Sequence, residues 1–139
     1  MTVTINDGTN NGATKSYVVT VADLVDEDPV FAVSASQSVA ENTRNVVTLS
    51  VTDGDAADGN TATYAITGGA DSGTFEINAG VLRFQAAGGA NYDSPGDSDS
   101  NNVYVVIVRA TDSNSNTADR EFTITVTDVN DQTPTYTAT

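Results

Sequence analysis

The sequence predicts an all-β fold: a seven-stranded antiparallel sandwich with Greek-key connections. Three observations predict it. Apolar and polar residues alternate in short runs, the two-residue period of a strand with one buried face. Gly, Asn and Asp clusters punctuate those runs at short intervals. No run carries a helical period.

Residues 2–6 (TVTIN) alternate, residues 7–14 are Gly- and Asn-rich, and Tyr17, Val19 and Val21 alternate again. This reads as a β-hairpin, which alone is marginal in water. It should therefore pack on a neighbouring chain, pair at a sheet edge or move. After Pro29, Phe31, Val33 and Ala35 start the first strand of the main unit, ending near Val39. Glu41 follows in a loop. Val47, Leu49 and Val51 form the second strand, which stops at the loop 52–60 (TDGDAADGN). Ala62, Tyr64 and Ile66 give the third strand, and Gly68–Gly69 turns the chain. Phe75 and Ile77 give the fourth, Asn78 to Gly80 a tight turn, and Leu82 and Phe84 the fifth. Residues 86–102 are a long loop of small and polar residues. A final hairpin near 103–111 and 119–127 completes the unit. Phe31, Tyr64, Phe75, Phe84, Tyr104 and Phe122 fall on the apolar phase and are expected to fill the core. With no Trp, no sugar-stacking groove is evident.

One stretch is written twice. TVADLVDEDPVF at 20–31 and TVTDVNDQTPTY at 125–136 share Asp, Asp, Pro and an aromatic at a constant offset of 105 residues. Tyr17, Val19 and Val21 map onto Phe122, Ile124 and Val126 by the same offset. Self-similarity at a fixed period marks a repeat protein. Residues 1–22 are thus expected to be the C-terminal hairpin of a preceding repeat, 23–131 one complete repeat with its linkers, and 132–139 the start of a following one.

Nineteen acids against five basic residues leave a net charge of −14. Five basic residues cannot form a positive stripe, so nucleic acid is not expected as a partner. Many of the acids cluster, at 23–28, 53–58, 93–99 and 128–131. Scattered acids would suit solubility, whereas clustered carboxylates repel unless a cation lies among them. The chain has no Cys and no His, which removes disulfides, Cys/His zinc sites, thiol nucleophiles and imidazole bases. No stretch is long and apolar enough to span a membrane, and there is no signal peptide; in a piece of a longer chain neither argues against secretion. No phosphate loop or nucleotide fingerprint is present.

Strand parity sorts the acids to the two ends of a sandwich. The loop of Asp53 and Asp55 and the turn of Asp112 fall where the chain comes in through 23–28. Glu41 and the loop of Asn91 and Asp93 fall where it leaves through 128–131. Calcium takes six to eight oxygens from such irregular backbone, where magnesium demands a stricter octahedron. Asp97, Asp99 and Asn101 (within DSDSN) resemble the start of a calcium loop, but the glycine and distal Glu of an EF-hand are missing, and a solvated loop is expected. Carboxylate pairs such as Asp53 with Asp55, or Asp93 with Asp97, lack the desolvated cleft a glycosidase needs, so no enzyme is expected.

AEN at 40–42, DGD at 53–55, NYD at 91–93, RATD at 109–112 and DVND followed by Pro134 together resemble a cadherin repeat, in particular the cadherin-like repeats of large bacterial cell-surface adhesins. The resemblance covers about 105 residues and implies a cadherin/immunoglobulin-like sandwich with Ca2+ between successive repeats. It implies that Glu41, Asn91, Asp93 and Asp131 supply one half-site. Asp53, Asp55 and Asp112, with Asp26 and the carbonyls of Glu27 and Asn60, would supply the other. The family usually has Asp and Glu where this chain has Asn91 and Asp93, and Asn where it has Val25 and Glu27. Calcium at the first linker is therefore expected to be weaker or fewer in number. The implied function is a calcium-rigidified spacer or adhesion module, secreted or at the cell surface, whose partners are neighbouring repeats of the same polypeptide. Calcium-dependent carbohydrate binding and homophilic adhesion are the alternatives. The strand exchange of vertebrate relatives uses an N-terminal Trp, which is absent here.

Overall fold

The computed structural model describes residues 2–3, 15–16, 18–21, 27–54, 61–134 and 136. Of the leading hairpin, β1 (Thr2–Val3) and β2 (Lys15–Ser16) pair antiparallel, but residues 18–21, expected to alternate as its second strand, form no strand and are exposed throughout. The main unit is an all-β sandwich. One sheet has the order β4 (Ser36–Ala40), β11 (Thr117–Thr127), β10 (Val103–Thr111), β7 (Thr63–Gly68). Opposite it lie β5 (Asn45–Thr48), β9 (Val81–Phe84) and β8 (Phe75–Asn78), and the short pair β3 (Val30–Phe31) and β6 (Val51–Thr52).

The two first predicted strands are each broken. The first begins as β3 against β6 and resumes as β4 against β11, so the chain changes sheets near Val33–Ser34. The Ala32 N–H donates to Ser50 on one side, and Ala35 accepts from Thr123 N–H on the other, both at 2.9 Å. The β4–β11 pairing is parallel, unlike the antiparallel neighbours expected, because the strand reaches this sheet by crossing over rather than by a hairpin. The second strand pauses at Leu49, whose N–H donates to the Gly80 carbonyl at 2.8 Å instead of continuing the ladder.

Along the remaining strands of the main unit the period-two reading holds. Along β10, Tyr104, Val106, Val108 and Ala110 are buried and alternate with less buried residues. Phe122, Ile124 and Val126 do the same on β11. Phe75 stacks on Phe84 at 4.8 Å, Phe84 meets Tyr104 edge-on at 5.3 Å, and Phe31 meets Phe122 edge-on at 5.6 Å. Such ring pairs add about 0.5–1.5 kcal/mol to the area they bury. Tyr64 is half-buried, 6.1 Å from Phe31 at the margin of the core. The β8–β9 turn carries Ala79 and Gly80 at φ 49° and 76°, the left-handed pair that a two-residue hairpin requires.

The long loop 86–102 is tied to the Glu41 turn at its start. Gly89, at φ +83°, passes so close to Thr43 that a Cβ would meet its carbonyl oxygen at 2.5 Å. The Asn42 N–H then donates to Ala90 at 2.8 Å. Only glycine permits that approach, and it brings Asn91–Asp93 beside Glu41.

Candidate metal site

At the outgoing end, Glu41 is buried although it carries charge. Its Oε2 accepts the Tyr92 N–H from the long loop, and its Oε1 accepts the Val129 N–H from the linker, each at 2.9 Å. The Val129 bond above all, then the Tyr92 bond, holds the Glu41 carboxyl below its usual range despite burial. Glu41 thus joins three separated segments, and further acids gather around it. Carboxylate oxygens of Glu41, Asp93 and Asp131 lie within 4.8 Å of one another. Asn42 Nδ2 donates to Asp131 Oδ2 at 2.8 Å, and the Gln132 amide donates to Asp93 Oδ2.

Asp128 is the acid the sequence reading left out of this set. Burial pushes its carboxyl up, and the negative charges of Asp93, Glu41 and Asp131 push it further. The protein supplies no basic side chain to relieve this crowding among the described residues. Arg44 and Arg83 bind Glu76, Arg109 pairs with Asp119 through two 2.7 Å bonds, and Arg120 donates to the carbonyls of Phe31 and Val33. Oxygen donors alone, on irregular backbone, suit a hard cation such as Ca2+. Asn91 lies in the same loop, and its amide oxygen accepts the Ser94 N–H at 3.0 Å.

The incoming end is only partly described: Asp26, Asp55 and Asn60 lie outside the described residues. Asp112 is buried at the start of the β10–β11 turn. Its Oδ1 accepts the N–H groups of Asn114 and Asn116, each at 2.8 Å, and its Oδ2 accepts the Asn116 amide at 2.9 Å. Burial works against its ionisation, but the Asn116 amide and the turn's N–H groups outweigh it and lower its pKa. Asp53 is half-buried in the loop after β6. The Glu27 carboxylate lies against Gly54, filling the space a side chain there would need. The sequence reading gave Glu27 only a carbonyl role, and the structure brings its side chain to the Asp53 loop.

Residues 35–127 match the Cadherin domain family. Among solved structures, the chain is similar to Drosophila N-cadherin EC1-3, at 26% identity and a TM-score of 0.56. That likeness covers 75% of this chain and 35% of the other. It shares its fold with protocadherin gamma B2 extracellular cadherin domains 3-6, at 22% identity and a TM-score of 0.59 over 85% of this chain and 30% of the other. The protocadherin gammaB4 extracellular domain is similar at 21% identity and a TM-score of 0.58, over 80% of this chain and 17% of the other. The chain therefore spans about a third or less of the length of these structures. No curated protein matches by sequence. Cadherin domains are extracellular, calcium-binding adhesion modules and not enzymes. No helix among the described residues is long and apolar enough to cross a membrane. With the family match running from just before β4 to the end of β11, this chain belongs to the cadherin domain family.

Proposed function

We propose that this domain is a calcium-rigidified spacer repeat of a multi-repeat surface adhesin of the bacterial type. The observation that carries the reading is the convergence of Glu41, Asp93 and Asp131 within 4.8 Å at the outgoing end, with Asp128 beside them. Glu41, Asn91, Asp93 and Asp131 would hold calcium there, and Asp26, Glu27, Asp53, Asp55, Asn60 and Asp112 would hold it at the incoming end. Bound calcium supplies positive charge where the described arginines, all engaged elsewhere, supply none. Without it the carboxylates repel and the linker flexes. With it, Asp131 is tied to Asp93 and to the turn of Glu41, and the direction in which the chain leaves the domain becomes fixed.

The same reading makes residues 1–22 the end of a preceding repeat, 23–131 the complete one and 132–139 the start of the next. Val19 and Val21 support it. They are exposed at 71% and 88%, whereas their counterparts 105 residues on, Ile124 and Val126, are buried at 0% and 1%. Counterparts of core residues left exposed call for strands of their own. Small-angle scattering on a tandem of two such repeats tests the spacer role. An elongated, stiff particle in calcium and a broader distribution in chelator is expected. Identical profiles in both would remove the rigidifying role.

A further inference from the structure

The second half of the long loop is built around two buried acids. Asp71, just before the 3-10 turn Ser72–Thr74, accepts the Ser98 N–H on Oδ1 at 2.6 Å and the Val105 N–H on Oδ2 at 2.7 Å. The Gly96 N–H donates to the Tyr104 hydroxyl at 2.9 Å. These anchors draw Asp97 inward, to 7% exposure, where the sequence suggested a solvated position. Its Oδ2 accepts the Asn101 N–H at 2.7 Å, which turns the carboxylate toward the 97–102 turn.

Its other oxygen is the exception. Among the described residues four carboxylates are buried, and Glu41, Asp71 and Asp112 have both oxygens occupied by N–H donors. Asp97 Oδ1 is buried and accepts no hydrogen bond. Five residues on, Asn102 Oδ1 is in the same condition, while its Nδ2 donates to the Tyr92 carbonyl at 3.1 Å. A buried anionic oxygen with no donor is costly, and native structures meet such groups with a partner. Both of these oxygens lie on the one turn 97–102. The described arginines are engaged elsewhere.

We propose that the turn 97–102 is a second divalent-cation site, with Asp97 Oδ1 and Asn102 Oδ1 as protein ligands and Asp99 at its exposed rim. Oxygen-only donors on irregular backbone select calcium over softer metals. One buried carboxylate and one amide make the site weak, in the range of about 10⁻⁴–10⁻³ M found for extracellular modules. The ion would fasten the loop that Tyr104 and Asp71 hold from below. The site is separate from the linker cluster and stands or falls independently of it.

The test is a calcium titration of the full chain carrying Asp93→Asn and Asp131→Asn, followed by amide NMR at Ser98, Asn101 and Asn102. Saturable shifts with calcium chloride and none with magnesium chloride are expected. Adding Asp97→Asn should weaken the titration at least about tenfold. Amides that stay still up to about 10 mM calcium, or a titration unchanged by Asp97→Asn, would overturn the proposal. If the Asp97 variant does not fold, the titration in the two-residue linker variant decides alone. Shifts that persist there while the linker substitutions leave calcium binding unchanged would sink the linker reading and leave this site standing.

Discussion

Glu41 and Val129 lie 88 residues apart in sequence and 2.9 Å apart in space, carboxylate oxygen to backbone N–H. That bond, with its twin to Tyr92, makes Glu41 a structural pin as well as a candidate ligand. Glu41→Gln keeps an acceptor for one N–H and turns an amide toward the other. We expect it to lower the melting temperature in chelator and in calcium alike. Asp93→Asn, on an exposed side chain, should lower it only in calcium. Thermal melts of both variants in both buffers check this difference.

The metal-free protein should show a distinct pH response from Asp128. Its folded pKa is raised above the ordinary 3.8, by burial first and then by Asp93, Glu41 and Asp131. The folded state therefore holds that proton more tightly than the unfolded chain. The stabilisation is full below the ordinary value and is lost as pH rises through the raised one. Glu41 and Asp112 act oppositely, since their lowered values give stability above the carboxylate range that is lost in acid. In chelator, Asp128→Asn should therefore lose less stability than the parent as pH climbs out of the carboxylate range. Parallel denaturation curves across that range would contradict the Asp128 assignment.

In the core, Leu82 is fully buried between the sheets. Leu82→Ala removes its packing and leaves a cavity, at about 2–5 kcal/mol. The loss should be the same with and without calcium, because Leu82 belongs to the apolar core and not to the loops that carry the candidate ligands. Urea titrations in both conditions measure it.

Gly69 turns the chain after β7 at φ +104°, and a Cβ there would meet the Val105 carbonyl oxygen at 2.5 Å. Gly69→Ala is expected to cost at least about 1–3 kcal/mol from the backbone conformation, with the clash in addition. By contrast Gly73→Ala, where a Cβ meets nothing, should be near neutral. Equal effects of the two in urea denaturation would rule out this origin.

The strands were legible because burial on one face imposes a period of two, as Tyr104, Val106, Val108 and Ala110 show. The change of sheet near Val33 was not legible. Alternation continues through the crossing, and a side chain's polarity does not say which sheet its backbone joins. Glu41, Asp93 and Asp131 could be placed at one end by strand parity, and the structure brings them together. Asp128 was missed because its involvement depends on how closely Asp93, Glu41 and Asp131 gather around it, which no loop periodicity signals. The burial of Asp97 was hidden for a similar reason. DSDSN reads as a solvated loop until Asp71 and Tyr104 are seen drawing it inward.

Calorimetric calcium titration, with melts in calcium, magnesium and chelator, tests the central claim most directly. It would be run on this chain and on Asp93→Asn/Asp131→Asn. The account predicts that calcium binds and raises the melting temperature, that magnesium does not substitute, and that the double variant loses most of the gain. If calcium neither binds nor changes the melting temperature, the gathered carboxylates are not a metal site and the rigid-spacer reading is wrong.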